Sequence, residues 1–271
     1  MASSPVGSKP FGQARLMPNG SRSAGVTVDH VKSIFPTYSQ NNVKNGYEII
    51  EAEFERQVNR LAVNGTKLTG DQVESLRHFT YATVRAENDK FLPKYDETSN
   101  QSNTSSPGSA NMTLFKYEYL NPGDFVKVPY NKYYRRSLGN ESLYDAQTYH
   151  GRGYVQLTGK ENYSHYGAQA GIPGLVENPD LASSPNNAAK LLVAYILDKR
   201  NRQKILDALA DDQLSEARRA VNGGLNGLNQ FRRAYKTLKS EYVKQLEGID
   251  PGLRDRVQRQ IVNSDSHVPP A

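Results

Sequence analysis

Apolar residues recur every three or four positions along most of this chain, the period of helices that bury one stripe and wet the other. Val28, Val31, Ile34 and Phe35 follow Thr27, a capping residue, and Pro36 stops the short helix they predict. Ile49, Ile50, Phe54, Val58 and Leu61 predict a second helix over 46–64, closed by Asn64-Gly65. A third begins at Thr69 or Asp71 as cap and puts Val73, Leu76, Phe79, Thr80, Thr83 and Ala86 on one broad stripe before Pro93 ends it. Glu87 falls on that same stripe. In the second half the pattern predicts helices over 188–209, 214–221 and 229–246, separated by Asp211-Asp212 and by Gly223, Gly224 and Gly227. A shorter one over 253–261 leads into a polar tail. No internal repeat is visible, which disfavours solenoids and propellers. The chain reads as mainly α.

Four segments break the period. Residues 1–25 are rich in Ser, Gly and Pro and read as a flexible tail that cannot offset its ordering entropy by burial. The polar, low-complexity run over 99–113 reads as a mobile loop or a functional flap. Between 117 and 134 aromatic residues surround Asn-Pro-Gly-Asp, an irregular lobe whose fold the pattern does not fix. Finally, 150–163 reads His-Gly-Arg-Gly-Tyr-Val-Gln-Leu-Thr-Gly-Lys-Glu-Asn-Tyr. Its centre alternates, so an extended strip would send Tyr154, Gln156 and Thr158 to one side and Val155 and Leu157 to the other. Amide and hydroxyl groups beside an aromatic ring suit the hydroxyls and N-acetyl groups of a sugar. An ordinary edge strand with a solvated polar face fits the same pattern.

Composition narrows the chemistry. A chain of 271 residues is long enough to bury a real core, and with no cysteine it has no disulfide framework, thiolate metal site or thiol nucleophile. Five scattered histidines leave little for zinc, and the expectation is that no cofactor is needed. The formal charge of +6, with a pI near 9.2, favours anionic partners: acidic wall polymers, membrane surfaces or nucleic acid. Nucleic-acid binding would rest on charge alone and is not expected. No apolar run reaches the roughly 20 residues of a membrane span, and residues 1–25 lack the apolar core of a secretory signal. The expectation is a monomer made in the cytoplasm.

The run GRGYVQLTGKENY over 151–163, then Asn178-Pro179-Asp180-Leu181-Ala182, then Ala220-Val221-Asn222-Gly223-Gly224, closely resembles glycoside hydrolase family 19 in order and spacing. The opening VTVDHVKSIFP is similar to that family's first helix, so the resemblance runs from about Val26 to Tyr235. The family comprises chitinases and phage-type or bacterial endolysins. It implies a mainly α, bilobal, lysozyme-like fold with a substrate cleft and a small extended element near 150–159. On this reading a flexible tail (1–25) precedes a catalytic domain (26–246) that carries a flexible insertion (98–114), and a C-terminal helix and polar tail (247–271) follow.

The resemblance further implies hydrolysis of β-1,4 bonds by two carboxylates with inversion. Its general acid is a glutamate at the end of the third helix, usually within His-Glu-Thr or His-Glu-Ser. Ala86-Glu87-Asn88 holds that place, with alanine where histidine is usual. Glu87 suits the role because a carboxyl on an apolar stripe is desolvated and tends to keep its proton. Inversion also needs a second carboxylate roughly 6.5–9.5 Å away, leaving room for a water. Pro93 frees the chain to turn back, and the family's Phe-x-Pro followed by glutamate points to Glu97, with Asp96 one residue away as the alternative. By the same resemblance Gln156 and Thr158 hold substrate or the attacking water, Asn162, Tyr163 and Asn222 line the cleft, Tyr154 adds the ring described above, and Arg152 orders the cleft. Arg218, Arg219, Arg232 and Arg233 read as a solvated basic face with a possible pull on anionic wall polymers. The leading expectation is a peptidoglycan hydrolase of the endolysin type. The rivals are a chitinase, a wall-binding relative without chemistry, and cleavage by a single carboxylate that yields an anhydro product.

Overall fold

The computed structural model describes residues 25–93, 138–141, 145, 148–222 and 224–249, with two short pieces at 15–16 and 22–23. Among these the architecture is mainly helical. Two residues of β1 (Arg15–Leu16) pair antiparallel with two of β2 (Arg22–Ser23), within the segment expected as a tail. The expected 99–113 loop, the aromatic lobe over 117–134 and the helix over 253–261 lie outside the described residues.

Helix α1 (Val28–Ser33) is capped by Thr27 in a box in which the His30 side chain accepts from the Thr27 amide. Helix α2 runs over Gln40–Val63, six residues earlier than its apolar period suggests. Gly46 is therefore inside the helix rather than at its start. A β-carbon there would sit 2.7 Å from the Phe91 ring and 2.8 Å from the Tyr154 hydroxyl, so the glycine is needed for close approach of those rings. Helix α3 (Gly70–Glu87) starts where expected, with Thr69 and Gln72 exchanging cap hydrogen bonds. Its surroundings differ from the single stripe expected: from Leu76 to Val84 every residue is buried, so α3 is the central helix.

Two elements of the second half depart from expectation. The segment after Gly159 folds into α4 (Lys160–Ala170), which ends at the left-handed Gly171. The helix expected over 188–209 is two helices, α5 (Pro185–Leu197) and α6 (Lys199–Ala210). Asp198 makes the break because its carboxylate accepts from the amides of Arg200 at 3.0 Å and Asn201 at 3.4 Å, starting a new helix in the middle of a continuous apolar period. Helices α7 (Leu214–Asn222) and α8 (Leu228–Ile249) match the expected segments closely.

Helix α8 lies along α3, α2 against α5, and α6 against α7, with α5 also touching α3 and α4. The α3–α8 seam is antiparallel. Phe79 meets Phe231 at 5.1 Å between ring centroids, while His78 meets Tyr235 at 6.1 Å and Tyr242 at 5.4 Å. At the end of the seam the turn before α8 presses on the end of α3, so that a β-carbon on Gly227 would lie 2.9 Å from the Ala86 carbonyl. The α2–α3 seam holds a buried ionic cluster. Arg77 binds Glu51, Glu55 (2.7 Å) and Glu74 (3.2 Å), lies over the Phe54 ring, and shares Glu51 with the Tyr81 hydroxyl (2.9 Å). Burial, first of all, pushes Glu74 up from 4.5 to about 7 and pushes Glu51 up as well.

Candidate active site

Glu87 is the last residue of α3, where the helix carbonyls present partial negative charge. Its carboxylate is paired at 2.7 Å with Arg218 of α7, a side chain with no exposed surface, while Glu87 itself keeps 17% of its side chain exposed. Arg218 also donates from Nε (3.1 Å) and Nη2 (2.8 Å) to the Asn226 carbonyl, and its buried Nη1 has no partner among the described residues. The expected environment of Glu87 is thus corrected. Desolvation and the helix end disfavour a negative charge there, but a buried guanidinium favours it. The reading of Arg218 as part of a solvated face is corrected too. Its spacing carried the signal, for Leu214, Ala217, Arg218 and Val221 fall at i, i+3, i+4 and i+7, and all four are buried.

Other residues not singled out from the sequence fix this end of α3. Buried Asn88 exchanges hydrogen bonds with the Leu92 backbone and closes a tight turn straight after Glu87. Within that turn Phe91 adopts φ 53, in the left-handed region that bulky residues rarely take. Rings hold it there, Phe35 at 4.9 Å and Tyr154 at 5.3 Å. On the α7 side, Tyr195 of α5 donates to the Val221 carbonyl at 2.8 Å and pins the last turn of α7. Burial first, then Tyr166 and the Glu87 charge, push the Tyr195 phenol above its ordinary value.

The segment expected as an extended strip is instead a tight hairpin. Arg152 and Leu157 exchange backbone hydrogen bonds at 3.3 and 2.9 Å, and Gln156 turns the chain with φ 52. Tyr154, Val155 and Leu157 are all buried, so the ring of Tyr154 faces Phe91 in the core and not the side of Gln156. Burial pushes its phenol up to about 12. Gln156 and Thr158 do come together: a β-carbon on Gly151 would lie 2.9 Å from Gln156 Oε1 and 3.3 Å from Thr158 Oγ1, so both side chains lie over that bare backbone. Gln156 Nε2 donates to the Gly153 carbonyl (2.9 Å) and Thr158 to the Gln156 carbonyl (2.9 Å). Asn162 on α4 donates to the Thr158 carbonyl at 2.8 Å.

Arg152 is buried and bridges three parts of the chain. It donates to Asp180 (3.0 Å), the Thr148 carbonyl (2.7 Å) and the Tyr163 hydroxyl (3.0 Å), and Tyr163 in turn donates to the His150 carbonyl (2.8 Å). Tyr163 has no exposed surface, so this structure uses its hydroxyl to brace the hairpin. Asn222 is the last residue of α7, one turn beyond Arg218, and nothing is described of its side chain. Glu97 and Asp96 lie outside the described residues, as does any distance from Glu87 to a second carboxylate.

Glu87 on its buried cation and the Gln156–Thr158 hairpin are therefore two supports of one region, joined by the Phe91–Tyr154 contact. Part of this chain is similar to a curated protein. A glycosyl hydrolase family 19 domain-containing protein of Haemophilus influenzae (strain ATCC 51907 / DSM 11121 / KW20 / Rd) is 31% identical over 110 residues, 40% of this chain. The chain matches about half the length of that relative, 50%. No family model matches the chain. Among the described residues no group of three or more histidine, aspartate or glutamate side chains is arranged to hold a metal ion, and no helix is long and apolar enough to cross a membrane.

Proposed function

We propose that this chain is a glycoside hydrolase that cleaves β-1,4 bonds between N-acetylated sugars of peptidoglycan, with inversion, in a cleft between two lobes. The observation that carries the reading is the fixed carboxyl of Glu87, which ends α3 where the family 19 pattern puts its general acid and is held by a cation from a distant helix. Arg218 favours the ionised form, so Glu87 acts as acid in the fraction that carries a proton, which a carboxyl locked in place and partly exposed delivers to a leaving oxygen without first losing side-chain freedom. Glu97, or Asp96 next to it, serves as general base and activates the water on the opposite face of the sugar. Gln156 and Thr158, gathered over Gly151, orient that water or an N-acetyl group, while Arg152 and Tyr163 keep their hairpin rigid. The relative's family 19 domain and the net charge of +6 support a glycan substrate of anionic character, and the site of action is the cell wall.

Digestion of purified peptidoglycan and of soluble chitin oligomers by wild type and Glu87→Gln, with products identified by mass spectrometry, tests this. Hydrolysed muropeptides from wild type alone are expected. Cleavage confined to chitin would reassign the substrate, anhydro products would remove the need for Glu97, and no cleavage of either polymer would leave a wall-binding protein without chemistry.

A further inference from the structure

Two sets of cations in the described chain contrast. Arg77, Arg152 and Arg218 are buried and bound to carboxylates. Helix α8 presents the opposite case. Arg232, Arg233, Lys236 and Lys239 are all exposed, no acidic residue occurs between Leu228 and Ser240, and among the described residues none of the four enters an ion pair. The inward face of the same turns, Phe231, Ala234, Tyr235 and Leu238, is buried, so the outward direction of the four cations is fixed by packing on α3. Acidic groups gather elsewhere. Asp212 acts on Tyr235 from the α6–α7 turn, Asp71 acts on Tyr242 near the start of α3, and Glu241 neutralises Lys244 at 2.8 Å. From Arg232 to Lys239 the helix rises about 10 Å. Because α3 and α8 are antiparallel, Gly227 abuts Ala86 and Phe231 meets Phe79, the Arg232 end of this basic stretch is the end nearer Glu87, roughly 12 Å along the α3 axis from it, and the stretch leads away from there.

We infer that this face of α8 docks a carboxylate-bearing glycan strand, the polymer whose cleavage is proposed above, and feeds it toward Glu87. The inference rests on that reading for the identity of the polymer. Four unpaired cations along one helix face would give a neutral glycan nothing in return, whereas repeated carboxylates would release counterions from the whole stripe.

The test uses the full chain carrying Glu87→Gln, so that turnover cannot interfere. This protein is compared with the same chain also bearing Arg232→Gln, Arg233→Gln, Lys236→Gln and Lys239→Gln. Co-sedimentation is measured with peptidoglycan stripped of phosphodiester polymers and with chitin particles, across a salt series. The expected loss of peptidoglycan affinity is about tenfold at roughly 0.05 M salt and within about twofold at roughly 0.5 M, where screening removes the difference. Chitin binding is expected to stay the same. Equal affinities on peptidoglycan, an equal loss on chitin, or binding by the parent that disappears once phosphodiester polymers are stripped would overturn the inference. Thermal unfolding of both proteins shows whether the substitutions disturb the fold, and Lys236→Glu alone, expected to lose affinity in the same direction, provides a milder variant. Absent hydrolysis by wild type with the binding difference intact would remove the hydrolase reading and leave the docking surface standing.

Discussion

Glu74 sits in the α2–α3 cluster with one guanidinium, Arg77, facing three carboxylates, its own and those of Glu51 and Glu55. Glu74, with Asp71, also acts on the phenol of Tyr242 on α8. Its Oε2 is buried and has no hydrogen-bond partner among the described residues, a position that favours a neutral carboxyl. Burial above all raises Glu74 from 4.5 to about 7, Glu51 and Glu55 add to the rise, and Arg77 opposes it. The folded chain therefore keeps this proton to about pH 7, while the unfolded chain releases it near 4.5. Stability associated with the neutral form is complete below pH 4.5 and is lost as pH rises to about 7. At about 1.4 kcal/mol per pH unit the loss is on the order of 3 kcal/mol, against a typical total of roughly 5–15 kcal/mol. His78, one turn further along α3, acts in the other direction. Burial first, then Arg77 and Lys239, lower it to about 3, so its stability is complete above 6.5 and is lost as pH falls. The two slopes oppose each other between pH 4.5 and 6.5, which hides both in the wild-type profile. Glu74→Gln separates them. Urea unfolding of wild type and variant from pH 4.5 to 7.5 is expected to show their stability difference moving by about 3 kcal/mol in favour of the variant. A difference that stays constant within about 1 kcal/mol would refute the argument that Glu74 holds a proton in the fold.

Arg218→Met removes the buried cation that binds Glu87 and the Asn226 carbonyl and is expected to cost about 3 kcal/mol in urea unfolding, with glycan turnover falling through kcat; Arg218→Lys should recover part of the stability. Gly227→Ala puts a β-carbon against the Ala86 carbonyl at φ 70 and is expected to lose about 1–3 kcal/mol, whereas Gly224→Ala, with open space around it, should stay within about 0.5 kcal/mol by the same measurement. Asp198→Ala removes the cap of α6 and is expected to cost about 1 kcal/mol, read as a fall in Tm of roughly 2–4 °C.

The sequence made most helices legible because their apolar period is local. Thr69 and its partner Gln72 announce the start of α3, and Leu214, Ala217 and Val221 announce α7 without reference to anything distant. Boundaries failed where a single side chain overrode the period. Asp198 splits one apolar run into two helices by capping the second. Gly46 looked like a helix start, yet it is a contact point for Phe91 and Tyr154, residues more than forty positions away. The 151–158 hairpin misled for a related reason. Alternation of polar and apolar residues is the signature of a strand with two faces, but Gln156 at φ 52 reverses the chain within that run, so Tyr154 is carried into the core while Gln156 and Thr158 remain half-exposed.

The candidate site was half legible for the same physical reason. Glu87 can be found from its motif and its place at the end of α3, both local features. Its partner cannot be paired with it from sequence, since Arg218 lies on another helix 131 positions later. What the sequence does hold is the demand for a partner. An arginine at i+4 from Leu214 and three before Val221 is on the buried stripe of its helix, and an unpaired guanidinium in that position would be prohibitively costly. A carboxylate must then lie opposite, and among the described residues it is Glu87, the one the motif had already marked. The burial of Arg218 and the placement of Glu87 are thus one constraint seen from two helices. The geometry of the proposed acid is set by the packing of α7 against α6 and α8 as much as by α3, which carries it.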